Sequence, residues 1–395
     1  MRAVTRPLTV EIDLNDFAGS GDAAAGCLFV RDGVGLATRG VASRVAIDDT
    51  PATLSAIKHD DGGSGLHPLA LGVVPFEPFT AASLIIPSVT IRKGADGRGW
   101  VTVVDGAAAD LRPEPRPPAR AQSFTVAPLT PIDRYLAAVE TARDAVRSGT
   151  LTKAVIAREV LVSSDQPINV HAVLLRLKAA FGSSHRYSID GFIGASPELL
   201  VAVDGATVRS HPLAGTTPRT GDPATDQRAA AELLASEKNQ IEHRVVIDMI
   251  HDTLLPWCSY LDWQPEPSIV AVANVQHLGT ALEGLLSEPR PNVLELVRAL
   301  SPTPALGGFP RDAALELIAA VEGFQRGNYG GAVGWVDAAG NGTWAVAIRC
   351  AELSADRRSA RLIAGGGIVA DSEPLAELAE TQAKLQAMLS AIVRP

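Results

Sequence analysis

Three charged side chains share one face of the last predicted helix. Glu377, Glu380 and Lys384 are spaced i, i+3 and i+7, which places them on one side of an α-helix. The helix follows the segment AGGG at residues 364–367, whose consecutive backbone N–H groups could form a nest for a carboxylate. Two carboxylates beside an anion site need a cation between them, and Mg²⁺ prefers such oxygen ligands. A solvated charged stripe is the ordinary alternative.

Another carboxylate lies on a long helix predicted from about residue 226 to residue 255. Glu242 stands beside an apolar stripe in the segment KNQIEHRVVIDMI at residues 238–250. A glutamate at the edge of such a stripe is normally paired or reaches to solvent. With Glu380 as its partner, Glu242 becomes a second candidate ligand for a metal ion.

Lys153 and Glu198 are candidate proton-transfer groups, since both lie among apolar strand residues. Only six of the 35 basic residues are lysines, so a lysine in the apolar segment LTKAVIA is unusual in this chain. A desolvated lysine loses its proton more readily, and a desolvated carboxyl keeps its proton. Such a pair supplies a base and an acid near neutral pH. The alternatives are an edge-strand lysine with its amine in solvent and a turn glutamate after Pro197.

Two further segments are candidates for binding an anion. The loop HPLAGTTPR at residues 211–219 offers backbone amides and the Thr216 hydroxyl to a carboxylate or to hydroxyl groups. Arg349 stands in the apolar run AVAIRC, which predicts an arginine inside a buried strand. A buried arginine needs an anionic partner. An ordinary tight loop and a structural salt bridge remain open as alternatives.

The elements that would position these residues alternate between strand pairs and helices. Turn residues and alternation predict antiparallel strands over residues 1–105, and residues 106–122 form a Pro/Arg-rich surface loop. Residues 123–395 then carry helices near 131–148, 170–181, 226–255, 311–323 and 372–393 between further strands. This order favours an α+β fold over a βαβ array.

Composition narrows the classes of function. The 395 residues carry a formal net charge of −9, which argues against a nucleic-acid partner. No apolar run is long enough to span a membrane, and the N-terminus is a poor signal peptide. Three widely spaced cysteines make no disulfide framework, as is typical of a reducing compartment. We expect a cytoplasmic protein, and with no sign of an assembly segment we expect a monomer.

Nine segments in one order resemble the chorismate-utilising enzymes, most closely isochorismate synthase. They cover about residues 152–384 and read TKAVIAR, GASPELLV, HPLAGTTPR, SEKNQIEHRVVIDMI, VQHLGT, SPTPALGGFPRDAAL, RGNYGGAVGW, AVAIR and AGGGIVADSEPLAELAETQAK. A lysine at position 153 resembles the water-using members, whereas the ammonia-using members have glutamine there. The resemblance implies one α+β unit spanning residues 1–395, with two antiparallel sheets, outer helices and an active-site cleft between them.

The resemblance also implies the reaction and its residues. Chorismate would be isomerised to isochorismate in a Mg²⁺-dependent step, with Lys153 activating water to attack C2 and Glu198 protonating the leaving C4 hydroxyl. Glu242 and Glu380 would bind the metal, with Glu377 acting through water. The implied substrate-binding residues are Gly215, Thr216, His277, Tyr329, Arg349, Gly365, Gly367 and Lys384.

Some choices stay open at this point. Salicylate synthase, which adds elimination of pyruvate, is the alternative activity, and an inert chorismate-binding relative is the alternative from another class. The product could serve siderophore, menaquinone or salicylate-derived biosynthesis. Asn239 stands where an acidic residue is common in the family, which casts doubt on any acidic contact to the metal from that position.

Overall fold

The computed structural model describes residues 1–19, 26–77, 82–113, 122–272 and 275–394. Strands make up most of its regular structure. They are β1 Arg2–Pro7, β2 Cys27–Arg31, β3 Val34–Ala46, β4 Lys58–Asp60, β5 Leu69–Val74, β6 Ser83–Lys93, β7 Gly99–Val104, β8 Phe124–Pro128, β9 Lys153–Ser164, β10 His185–Ile189, β11 Phe192–Ser196, β12 Leu199–Asp204, β13 Thr207–His211, β14 Leu213–Pro218, β15 Cys258–Trp263, β16 Ser268–Ala271, β17 Val275–Gly279, β18 Leu282–Leu286, β19 Gly308–Phe309, β20 Ala332–Asp337, β21 Gly342–Val346, β22 Cys350–Leu353 and β23 Ser359–Ile368.

The helices lie between groups of strands. They are α1 Leu14–Ala18, α2 Thr50–Ser55, α3 Ile132–Arg147, α4 Val170–Ala180, α5 Pro223–Ala235, α6 Glu237–Leu254, α7 Val293–Leu300, α8 Arg311–Val321 and α9 Pro374–Val393. Short 3₁₀ helices cover Ile47–Asp49 and Leu255–Trp257. The helices predicted near residues 131–148, 170–181, 311–323 and 372–393 are confirmed.

The single long helix predicted from residue 226 to residue 255 is wrong. The chain forms two helices, α5 and α6, which meet at Ser236. Ser236 has an extended backbone, and its side chain accepts a hydrogen bond from the Asn239 N–H at the start of α6. This is an N-cap, which begins a new helix and changes its direction. Glu242 is therefore carried by α6 alone.

The strands form two antiparallel arrays that share β6. One array runs β4-β1-β7-β6-β3-β2-β10-β11-β22-β23-β9-β8, with only the β1–β4 pair parallel. The other runs β6-β5-β20-β21-β12-β13-β18-β15. The two-residue strand β19 pairs with the start of β9, and a separate small sheet has the order β14-β17-β16. The predicted α+β class with two antiparallel sheets is confirmed, and the pairing of Leu71 with Ile85 joins β5 to β6.

Strands from residues 1–105 are hydrogen-bonded to strands from the later part of the chain. β2 pairs with β10, and β5 pairs with β20. Most of residues 106–113 are exposed and irregular, while residues 114–121 of the predicted surface loop lie outside the described residues. Among the described helices, none combines the length and apolarity needed to cross a membrane.

Two local predictions near the C-terminus are wrong. Arg349 does not lie inside a strand, because β21 ends at Val346 and β22 begins at Cys350. The glycines at residues 365–367 do not form a nest, since they lie within β23 and pair with β9. Successive N–H groups in an extended strand point to opposite sides and cannot converge on one anion.

Candidate active site

One cavity of about 220 Å³ brings together all the candidate site residues. Its walls come from β9 and β23 of the first array, from the loop between β11 and β12, from the small sheet and from α6 and α9. The candidates that line it are Lys153, Glu198, Gly215, Thr216, Glu242, His277, Tyr329, Arg349, Gly365, Gly367, Glu377, Glu380 and Lys384. Residues that are distant in sequence therefore converge on one polar chamber.

Lys153 is buried at the start of β9. This strand pairs with β23 along most of its length and with β19 at Lys153 itself, and its first eight residues are buried. Only 2% of Lys153 is exposed, and its Nζ donates to Oε1 of Glu242 at 2.7 Å. The alternative of an edge-strand lysine with its amine in solvent is therefore wrong. The ammonium group is held inside the cavity by a carboxylate from α6.

Glu198 follows Pro197 between β11 and β12, yet its side chain is buried. Burial raises the pKa of the Glu198 carboxyl to about 7, although the Leu213 N–H and the charge of Lys153 favour the ionised form. Oε1 has no hydrogen-bond partner within the described part of the chain. At neutral pH a large fraction of Glu198 therefore still carries a proton, which it can donate into the cavity.

Arg349 has guanidinium N–H groups that are available to an anion. Nη2 donates to Nε2 of His277 at 3.0 Å, whereas Nε and Nη1 are buried and have no partner among the described residues. Buried cationic donors without a partner are costly unless a ligand meets them. Each of these N–H groups can donate a charge-assisted hydrogen bond to a carboxylate oxygen. Within the described part of the chain, the structural salt bridge that was the alternative is not formed.

The contact with Arg349 fixes the protonation of His277. Arginine can only donate, so Nε2 of His277 must accept and the proton lies on Nδ1. Nδ1 lies 3.2 Å from the Gly215 carbonyl oxygen and 3.1 Å from Oγ1 of Thr216. Burial and the nearby charge of Arg349 hold the pKa of His277 well below its usual value. His277 is therefore neutral and links the small sheet to Arg349.

The three candidate metal ligands line the cavity from two helices. Glu242 comes from α6, and its Oε1 binds Lys153. Glu380 and Glu377 come from α9, where Glu380 pairs with Lys384 at 2.6 Å and Oε1 of Glu377 accepts from Ser372 at 2.7 Å. The described residues contain no group of three such side chains close enough to hold a metal ion.

The donor set nevertheless fits a divalent cation. The ligands are carboxylate oxygens, and Mg²⁺ is typically held by one or two carboxylates together with water and ligand oxygens. Two of the three carboxylates already pair with a positive charge: Glu242 with the ammonium group of Lys153, and Glu380 with that of Lys384. A bound divalent cation would neutralise the negative charge of these same two carboxylates.

Close packing at β23 explains its glycines. A Cβ on Gly367 would lie 2.7 Å from Cε of Lys153 and 2.8 Å from Oε1 of Glu242. Such distances are shorter than real Cβ contacts, so a side chain here would displace the lysine and the glutamate. Gly365 accepts from Lys384 through its carbonyl at 2.8 Å. The glycine strand therefore lets β9, α6 and α9 approach one cavity.

Sequence reasoning missed a buried ion pair behind the cavity. Arg326 and Glu322 are 2% and 1% exposed, and Nη2 of Arg326 lies 2.5 Å from Oε1 of Glu322. Arg326 also donates to the carbonyls of Leu306 and Val155, at 2.7 Å and 2.6 Å. The signal was present as an i, i+4 acid–base pair beside apolar residues, but it resembles an ordinary surface pair until burial is known.

The chain belongs to the family of chorismate-binding enzymes. The family model described as "chorismate binding enzyme" matches residues 76–393. An α+β fold with two antiparallel arrays around a cavity of buried acids, lysines and arginine is consistent with that membership.

Relatives that match most of the chain include proteins named as isochorismate synthases. A Mycobacterium tuberculosis protein, provisionally named isochorismate synthase MenF, is 40% identical over 372 residues, covering 90% of this chain and 93% of the relative. Isochorismate synthase DhbC of Bacillus subtilis is 39% identical over 338 residues, covering 82% and 81%. A solved Bacillus anthracis structure, provisionally named 2,3-dihydroxybenzoate-specific isochorismate synthase DhbC, has a TM-score of 0.78 at 33% identity and covers 92% and 95%.

Proposed function

We propose that this enzyme converts chorismate to isochorismate in a magnesium-dependent reaction. The observation that carries the proposal is the presence of Lys153 and Glu198 in one buried cavity. Burial raises the pKa of the Glu198 carboxyl to about 7, so that it holds a transferable proton at physiological pH. The names of the relatives that cover most of the chain support the same reaction.

The cavity offers separate positions for the two carboxylates of the substrate. The unpartnered guanidinium donors of Arg349 and the hydroxyl of Tyr329 would bind the carboxylate of the side chain. Burial raises the pKa of Tyr329 to about 12, so its hydroxyl keeps the proton that it donates. Glu242 and Glu380, with Glu377 through water, would hold Mg²⁺, which would neutralise the carboxylate on the ring.

The proton transfers follow from the two buried groups. Lys153 is the proposed general base: once its ammonium group has given up a proton, the amine takes a proton from water as the water oxygen bonds to C2 of the ring. The ring double bond shifts, and the bond from C4 to its hydroxyl breaks. Glu198 gives its proton to that hydroxyl, which leaves as water. One water enters and one leaves, so the product is an isomer of the substrate.

The test is to incubate the purified protein with chorismate, with and without Mg²⁺, and to separate the products by chromatography. We expect isochorismate in equilibrium with chorismate, only when Mg²⁺ is present and without pyruvate. Salicylate together with pyruvate would assign the protein to salicylate synthesis instead. K153A and E198Q are the matched variants, and wild-type turnover in either would remove its assigned role.

Three further expectations accompany this proposal and stay predictions. We infer that the reaction takes place in the cytoplasm and that the enzyme is a monomer. The product would enter siderophore or menaquinone biosynthesis. Names of relatives point to both uses, since one is a vibriobactin-specific isochorismate synthase of Vibrio cholerae and others are named MenF.

A further inference from the structure

The backbone of Arg349 adopts a conformation that residues with a side chain rarely adopt. Its φ is 52°, in the left-handed region, at the point where the chain passes from β21 to β22. Such a residue persists only where neighbouring groups hold it, and it is typical of functional sites. The groups that hold Arg349 are therefore part of how its guanidinium is aimed.

Tyr187 on β10 contacts the residues on both sides of Arg349. Its hydroxyl donates to the carbonyl oxygen of Ile348 at 3.1 Å and also lies within hydrogen-bonding reach of the Cys350 thiol. The tyrosine is fully buried, and its ring stacks on Phe192 with 5.4 Å between the centroids. Burial raises the pKa of Tyr187, so the hydroxyl keeps its proton. The hydroxyl acts as a fixed donor at this bend.

Gly194 makes the approach of Tyr187 possible. Gly194 on β11 lies opposite Tyr187 on one side and opposite Cys350 on the other. A Cβ on Gly194 would lie 2.5 Å from the Tyr187 hydroxyl and 2.8 Å from the Arg349 carbonyl oxygen. Because this position has no side chain, the tyrosine ring crosses β11 and reaches the bend.

A backbone contact from the same strand completes the support. The N–H of Ala195 donates to the Arg349 carbonyl oxygen at 3.1 Å. The bend is therefore held on the carbonyl of Ile348 by a side chain and on the carbonyl of Arg349 by the main chain. A substitution of Tyr187 can remove the contact with the Ile348 carbonyl. The contact between Ala195 and Arg349 joins two main-chain groups, so a side-chain substitution leaves it in place.

We propose that Tyr187 is a positioning residue for Arg349. Its hydroxyl fixes the backbone from Ile348 to Cys350, so that unpartnered guanidinium donors of Arg349 are held where a carboxylate in the cavity can meet them. The inference rests on the proposed function, since it takes Arg349 as the residue that binds a substrate carboxylate. Tyr187 is absent from the cavity wall and acts on the ligand only through the arginine.

The test is the variant Y187F, which removes one hydroxyl and keeps the ring. We expect KM for chorismate to rise about tenfold, the order of one lost hydrogen bond, with kcat nearly unchanged. The matched control is T5V, which removes a buried hydroxyl that contacts His59 and Thr102 far from the cavity. T5V should lower the unfolding temperature and leave KM unchanged. A lower unfolding temperature in Y187F without a rise in KM would overturn the proposal.

A double-mutant cycle separates this inference from the proposed function. R349K should raise KM strongly, and Y187F should add nothing in the R349K background, because the two residues act on one contact. Unchanged KM in R349K would refute the carboxylate contact itself, and with it the proposed function of Arg349. Two other outcomes would refute only the role of Tyr187. One is a high KM in R349K together with a wild-type KM in Y187F. The other is a rise in KM caused by Y187F that is equally large in the wild-type and R349K backgrounds.

Discussion

At the scale of one residue, burial of the Glu198 carboxyl affects both catalysis and stability, because it raises the pKa of that group. The pKa of Glu198 rises from 4.5 to about 7 on folding, chiefly because the carboxyl is desolvated. The folded state therefore binds more protons than the unfolded state between these values. Stability contributed by this site is lost as the pH rises from about 4.5 to about 7, and it stays lost above that range.

E198Q should remove this dependence. Relative to wild type, the free energy of unfolding of E198Q should increase by about 2.5 kcal/mol between pH 5 and pH 8, from the difference between the two pKa values. Turnover should fall by about a hundredfold or more, as expected when a general acid is lost. Urea unfolding at the two pH values measures the first effect. E232Q, at an exposed glutamate of α5, is the control, and the same pH dependence in both variants would contradict the assignment.

Elements near the cavity are joined by the buried pair of Glu322 and Arg326. Oε1 of Glu322 accepts from the Ala157 N–H at 2.7 Å, while Arg326 binds the carbonyls of Leu306 and Val155. The pair thereby connects the end of α8, the 301–307 loop and β9, the strand that carries Lys153. The guanidinium also stacks over Phe76, 4.4 Å from the ring centroid.

E322A should be strongly destabilising because it leaves a buried guanidinium without its carboxylate. We expect a loss of about 3–5 kcal/mol in the free energy of unfolding. The control is D248A, which breaks an i, i+4 pair of the same spacing whose side chains are about half exposed. That change should cost less than about 1 kcal/mol. Urea unfolding measures the free energy of unfolding of both variants. An equal loss in E322A and D248A would show that burial of the Glu322–Arg326 pair adds nothing to its contribution to stability.

The elements predicted correctly are those whose signals are local. The apolar stripe predicted near residues 131–148 matches α3 closely, and the apolar run around Lys153 lies in β9. The break at Ser236 also has a local signal, a serine that caps the next helix, which the continuous polar–apolar pattern concealed. The bend at Arg349 has no local signal, since it depends on Tyr187 and Ala195 from other strands. The family motifs named every candidate site residue, but which of them bond to one another came only from the fold.

At the scale of the whole molecule, the net charge of −9 complicates any test for a metal. Cations at moderate concentration screen the repulsion in an acidic protein and stabilise it without a specific site. A specific site adds a second contribution, since a ligand that binds only the folded state raises its stability in proportion to the logarithm of ligand concentration. Screening depends on the ionic strength, whereas site binding depends on particular carboxylates.

Thermal unfolding with Mg²⁺ should separate these contributions. We expect MgCl₂ to raise the unfolding temperature of wild type above the value in NaCl of equal ionic strength. E380Q should lose this difference, because Glu380 is a proposed ligand on the cavity wall. E373Q, at the exposed start of the same helix, changes the net charge equally and should keep it. An equal response of E380Q and E373Q to Mg²⁺ would mean that the ion acts by screening alone, and Glu380 would then serve only to pair with Lys384.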